Sequence, residues 1–191
     1  MMFKLMAPFY DWFVRATRID HSEHVPVWLA PVKDMELLDL GGGTGINAEV
    51  LSNAGAKVTI VDYSKAMLKR AAAKKMPIRL VHAAAQALPL PDCSFDIVLI
   101  SDAWHHFRDQ AGVIYEVRRV LRPGGRLYII DFAPGHSVTK YISFFEKLLA
   151  EPSTFTMPDD LVELFGAAGI AGDYCRLRIG QYIYTGVKEK P

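Results

Sequence analysis

The sequence predicts an α/β fold, a three-layer sandwich with helices covering both faces of a mostly parallel sheet. Three observations predict it. From Met35 onward, short apolar and β-branched runs alternate with amphipathic stretches of helical period. The first such run, Leu37 to Leu40, empties into four glycines within five residues and then into a helical segment. The run FDIVLIS, residues 95–101, reads as a buried strand.

The elements follow in order. Residues 2–30 are rich in aromatics and histidine and predict one or two short helices. Leu37 to Leu40 is a strand interrupted only by Asp39. Lys57 to Asp62, KVTIVD, is the second strand, and Ser64 can cap a helix carrying Met67, Leu68 and Ala71 on its apolar side. Ile78 to His82 is a short strand, and Phe95 to Ser101 the next. Asp109 can open a helix with Ile114, Val117 and Leu121 on one face. Pro123-Gly124-Gly125 stops that helix, and RLYIIDF is the strand after it. Pro158 suits the first turn of a late helix. Leu161, Leu164, Phe165 and Ala168 form its stripe, and Gly169 ends it. The tail from Asp173 to Lys188 reads as two strands around Gly180. The expected organisation is a helical lid segment over residues 1–34 and one domain over 35–191, with an insertion at about 134–157.

Composition narrows the function classes. A chain of 191 residues, 51% hydrophobic and 23% charged, suits one globular domain with a real core. Lys plus Arg is 22 against 21 for Asp plus Glu, which leaves no basic footprint for nucleic acid. Two cysteines, Cys93 and Cys175, cannot build a disulfide framework or a thiolate metal site, and they suit a reducing cytoplasm. The N-terminal MMFKLMAPFYDWF is broken by Pro8 and Asp11. It is too short for a signal peptide, and no later run spans a membrane. His21 and His24 have i, i+3 spacing, but no third ligand is evident. They read as a surface or lid pair, and no metal is expected.

The glycine loop is the richest stretch. Open sheets of this kind bind ligands at the carboxyl ends of their strands, and glycines let a ligand approach the backbone. Gly43-x-Gly45-x-x-Ala48 fits a dinucleotide fingerprint, with Asp62 placed for the ribose hydroxyls. A turn needed only for tight strand–helix packing fits as well. Asp39 adds a negative charge beside the loop, which is unfavourable for a pyrophosphate.

LLDLGGGTG resembles the first motif of the class I S-adenosylmethionine-dependent methyltransferases, with Asp39, Gly41, Gly43 and Gly45 on the pattern. The resemblance continues in register through VTIVDYSKAML, ALPLPDCSFDIVLIS, VRRVLRPGGRLYIIDF and PDDLVELFGAAGI, over roughly residues 35–188. It implies a Rossmann-like fold with a seven-stranded sheet and an antiparallel C-terminal strand. It also implies S-adenosylmethionine as the cofactor. The loop and Thr44 would cradle the methionyl tail, Asp39 would order the loop amides or approach the ammonium, and Asp62 would take the ribose. Tyr63 and Met67 would flank the adenosine. An Asp or Asn that often reads the adenine is replaced by Ala84, so the backbone at Ala84 and Ala85 or the side chain of Gln86 would take that place. Ser101 matches a cofactor-side position.

Within the family, GGTG, LPLPD and APFYD resemble the ubiquinone/menaquinone C-methyltransferases, although DAWHHF replaces their loop after the fourth strand. The resemblance points to a small, largely apolar acceptor, a quinol or phenol methylated at carbon or oxygen. A peripheral membrane contact would follow if that acceptor is a lipid quinol. Asp102, His105 and His106 are the candidate bases near the strand ends, with the two histidines favoured. Tyr10 and Trp12, with Phe9 and Phe13, would line the acceptor from the lid. Tyr141, with Phe144, Phe145 and Leu148, would form a second wall. The competing classes are an NAD-binding oxidoreductase and a non-catalytic S-adenosylmethionine-binding module. A nucleic-acid or arsenic methyltransferase would want, respectively, a basic face or a cysteine cluster.

Overall fold

The computed structural model describes residue 11, residues 21–148 and residues 153–190; of residues 145–148 only the backbone is considered. The expected helices of residues 2–30 fall mostly outside that range. Within it lies a single short helix, α1 (Val25–Trp28), with Pro26 in its first turn, where a missing N–H costs nothing.

The strands are β1 (Glu36–Leu40), β2 (Lys57–Asp62), β3 (Arg79–His82), β4 (Phe95–Ser101), β5 (Leu121–Phe132), β6 (Ile170–Arg176) and β7 (Gln181–Lys188). They form one seven-stranded sheet in the order β3-β2-β1-β4-β5-β7-β6. The first five run parallel, and β7 runs antiparallel to both β5 and β6. The expected sheet and its antiparallel C-terminal strand are therefore present. Helices α2 (Ile46–Asn53), α3 (Lys65–Ala73), α4 (Gln110–Val120), α5 (Ser137–Leu148) and α6 (Pro158–Ala167) connect them.

Strand alternation splits the core into two layers. Leu38, Leu40, Val98, Ile100, Leu127 and Ile129 point to one face, where Val113, Val117 and Val120 of α4 and Leu161 and Phe165 of α6 meet them. Their neighbours Leu37, Ile97, Leu99 and Ile130 point to the other, against Val25, Leu51, Leu68 and Ala71. Both faces are covered, so the parallel strands read as continuous apolar runs rather than alternating ones. The helix starts are local chemistry. Ser64 accepts from the amide of Met67, and Asp109 accepts from that of Gly112.

Three details depart from the sequence pattern. Leu164 is 42% exposed, so α6 packs mainly through Leu161 and Phe165, with Pro158 and Val162 beside them. Leu121 opens β5 instead of closing α4. Pro123-Gly124-Gly125 does end the helix at Val120, yet it lies inside β5 as an irregularity: Phe95 pairs with Leu121 and Ile97 with Arg126. A Cβ at Gly125 would come within 2.8 Å of the carbonyl oxygen of Arg122, so only glycine fits that bulge.

Candidate functional site

The sheet order reverses between β1 and β4, and the carboxyl ends of these strands open into a cleft of about 670 Å³. That volume lies within the range of small-molecule sites. Its floor is the turn leaving β1. Gly41 has φ +78 and a Cβ there would lie 2.6 Å from the Cβ of Ala103, so β1 and the turn after β4 approach each other only because the side chain is missing. Gly45 has φ +77 and caps α2, whose amino end faces the cleft through Ile46 and Asn47.

Two acids hold this turn differently. Asp62, at the end of β2, accepts the amide of Gly43 on Oδ2 at 2.9 Å and that of Ser64 on Oδ1 at 2.7 Å. It is thus the carboxylate that orders the glycine loop, and each oxygen keeps a lone pair for a ligand. Burial raises its pKa, and the two amides pull it back. Asp39, 1% exposed, lies under Gly42, whose Cβ would sit 2.6 Å from the carboxyl group. Neither of its oxygens has a hydrogen-bond partner among the described residues. The expectation that Asp39 orders the loop amides is therefore corrected: Asp62 does so. Burial, with the Asp62 charge second, pushes the pKa of Asp39 up to about 7.

A buried carboxyl with no partner beneath a backbone cradle suits a ligand bringing its own cation beside an anion. An amino-acid tail has that chemistry, and a pyrophosphate does not. Thr44 is buried and donates to Oδ1 of Asp11, which also pairs with Lys74 at 3.3 Å. This ties the N-terminal segment to the loop. At the other end of the cleft, Tyr63 is 78% exposed, with its ring 6.1 Å from that of His82. Met67, Ala84, Ala85 and the exposed Gln86 complete that wall.

Of the expected residues, Gly41, Gly43, Thr44, Asp62, Tyr63, Met67, Ala84, Ala85, Gln86, Ser101 and His106 line the cleft. Asp39 lies below it, and Gly45 shapes it from the helix cap. His105 does not face it. That histidine is 4% exposed, with Nδ1 2.6 Å from Oδ1 of Asp131 and its ring stacked on Phe155 at 4.6 Å. Its own amide donates to the same carboxylate, so the His105–Asp131 pair braces the turn after β4 against β5. Only His106 of the two reaches the cleft. Tyr141 is 65% exposed on α5 and is not part of the lining. Tyr10 and Trp12 lie outside the described residues, as do Phe9 and Phe13.

His21 and Arg108 enter the lining without having been singled out as site residues, and Asp102, the third candidate base, lines it as well. His21 lies far from the loop in sequence and meets β4 only through folding, with Nε2 2.9 Å from Oγ of Ser101. No group that could hold a metal ion occurs among the described residues, and no helix among them is long and apolar enough to cross a membrane.

Residues 38–129 match the family described as a methyltransferase domain. The demethylmenaquinone methyltransferase of Thermus thermophilus is 30% identical over 94% of this chain and 96% of its own length. The ubiquinone/menaquinone biosynthesis C-methyltransferase of Paracoccus denitrificans is 45% identical over 56% of the chain. In that second alignment the chain spans about half of the relative, 46% of its length. Among solved structures, an S-adenosylmethionine-dependent methyltransferase of Thermotoga maritima superposes with a TM-score of 0.81 over 98% of both chains at 20% identity. One from Mesorhizobium loti superposes with 0.76 over 87% of this chain and 96% of its own, also at 20%.

Proposed function

Because the chain belongs to the S-adenosylmethionine-dependent methyltransferases, we propose that it methylates a small, largely apolar acceptor, a quinol or phenolic ring, at carbon or oxygen. The observation that carries the cofactor is the buried Asp39 carboxyl beneath the glycine turn, without a hydrogen-bond partner among the described residues. The end-to-end likeness to a demethylmenaquinone methyltransferase supports the acceptor class. The cytoplasm is the proposed compartment.

S-adenosylmethionine supplies an electrophilic sulfonium methyl group when bound. The chain's residues do the holding and aligning. The amide of Gly42 and those at the start of α2 would take the methionyl carboxylate, since the amides of Gly41 and Gly43 are held by Val61 and Asp62. Asp39 would face the ammonium and Asp62 the ribose hydroxyls. Tyr63 and Met67 would flank the adenine, with the backbone at Ala84 and Ala85 or the amide of Gln86 at its amino edge. The turn after β4, carrying Ser101, Asp102, His106 and Phe107, faces the remaining volume, where an acceptor would lie.

Two measurements test this reading. Calorimetry should give micromolar to submillimolar binding of S-adenosylmethionine and no heat with NAD. Mass spectrometry of products from a mixed panel should find methylated quinols or phenols. Tight NAD binding alone would overturn the cofactor assignment. Methylation confined to polar amines or tRNA would overturn the acceptor class.

A further inference from the structure

Four polar side chains from three separated segments converge at the β4 end of the cleft. His21 precedes α1, Ser101 closes β4 with Asp102 just after it, and Gln181 opens β7. The amide nitrogen of Gln181 lies 3.3 Å from Nδ1 of His21 and 3.5 Å from Oδ1 of Asp102. Nε2 of His21 lies 2.9 Å from Oγ of Ser101, which donates to Oδ2 of Asp102 at 3.4 Å. These contacts link Gln181, His21 and Ser101 in one chain that ends at the Asp102 carboxylate.

We infer that Asp102 is the base that takes the proton from the acceptor's hydroxyl group, and that His21, Ser101 and Gln181 position its carboxylate. This rests on the acceptor being a phenol or quinol, as proposed above. The geometry supports it from several sides. Asp102 has φ +50, a conformation costly for a residue with a Cβ, and its amide is held by the carbonyl of Ile130 at 2.8 Å. Its side chain is 30% exposed and lines the cleft, whereas His21 and Gln181 are buried behind it at 8% and 7%. His21 and Gln181 both lie outside residues 38–129, the span of the family match, while Ser101 and Asp102 lie within it.

The groups facing Asp102 are His21, Ser101 and Gln181, together with Asp131 of β5 and His105. Burial raises the carboxyl pKa and Asp131 adds to it, while His21, His105 and Gln181 pull it down; the net direction is up. A raised carboxylate is a stronger base than a free one.

The step balances. The acceptor's O–H bond breaks, and its proton passes to Asp102. The electron pair released, on oxygen or on the conjugated ring carbon, forms the bond to the methyl carbon as the methyl–sulfur bond breaks, its pair staying on sulfur. After O-methylation Asp102 returns the proton to solvent. After C-methylation the ring carbon loses its hydrogen as a proton to solvent, and the oxygen recovers its proton from Asp102. One proton leaves per turnover, matching the positive charge lost from sulfur.

The test uses the full chain and the variants D102N, D102E and H21Q. D102N should lower kcat roughly 100- to 10,000-fold and remove the acid limb of its pH profile. Affinity for S-adenosylhomocysteine should stay within about twofold. D102E should recover part of kcat. Without activity, carbon-13 titration of the aspartate carboxyls, with Asp102 identified by its loss in D102N, should show a midpoint above the ordinary range. That midpoint, and the acid limb of kcat, should move to higher pH in H21Q, because the imidazole lowers the carboxyl pKa. A D102N variant with kcat within about threefold and an intact limb would overturn the assignment alone. A midpoint unmoved in H21Q would overturn the positioning chain. Wild-type protein that methylates no phenol or quinol would defeat the acceptor reading, and this assignment with it.

Discussion

At the scale of single residues, Asp62 carries two duties at once. Its oxygens accept the amides of Gly43 and Ser64, which fixes the glycine turn, and their remaining lone pairs face the cleft. Removing the carboxylate therefore loosens the cradle as well as the ribose contact. Asp62→Ala should weaken S-adenosylmethionine binding roughly tenfold to several hundredfold, because a charge-assisted hydrogen bond contributes about 1.5 to 3 kcal/mol. Asp62→Asn keeps one acceptor oxygen and should fall between. The residue ends a strand, so folding should persist. Isothermal calorimetry decides it, and a Kd within about twofold of wild type in the alanine variant would move the ribose site elsewhere.

At the scale of elements, α6 shows how register decides energy. Leu164 and Phe165 are adjacent, and sequence spacing puts both on one stripe. In the fold Phe165 is fully buried, with its ring 5.5 Å from those of Trp104 and Tyr184, while Leu164 turns outward at 42% exposure. Two residues 100° apart on a helix cannot both face the same strand pair squarely. Phe165→Ala should cost about 3 to 5 kcal/mol, the usual range for emptying an aromatic site in a packed core, and Leu164→Ala under about 1 kcal/mol. Urea unfolding with a constant m-value separates them. Equal losses would mean that α6 is rotated from this register.

At the scale of the whole molecule, Asp39 makes stability depend on pH. Its carboxyl is fully buried, and its pKa rises from 3.8 to about 7. Below 3.8 the group is protonated in both folded and unfolded chains and costs nothing. As pH rises toward 7 the unfolded chain ionises and the folded chain resists. Stability from this group is lost across that window, by up to about 4 kcal/mol. Asp62 and Asp102, also raised by burial, act with the same sign. Glu116, held below its ordinary value by the hydrogen bond from Arg119, acts oppositely, and its contribution is lost as pH falls. Asp39→Asn should therefore flatten the decline in unfolding free energy between about pH 4 and pH 7.5 in the ligand-free protein. Identical slopes in wild type and variant would show that Asp39 ionises freely in the fold.

Local chemistry made much of this legible from the sequence. The glycine turn, the Ser64 and Asp109 caps, the alternating strands and the acids at the ends of β1 and β2 are signals carried by neighbours in the chain, so Asp39 and Asp62 could be placed by spacing, whereas the wall from Ala84 to Gln86 came from the family resemblance. The resemblance supplied the sheet's antiparallel end and the cofactor. Residues that meet only across the fold were not legible. His105 and His106 are adjacent and chemically alike. The turn after β4 sends one into a buried pair with Asp131 and the other into the cleft. His21 reads as a surface histidine until α1 packs and brings it beside Ser101, eighty residues away in sequence. Side-chain direction at a strand end depends on backbone twist and on what packs behind it. Sequence pattern encodes which residues are apolar and how they repeat. The convergence of His21, Asp102 and Gln181 exists only once the sheet has closed.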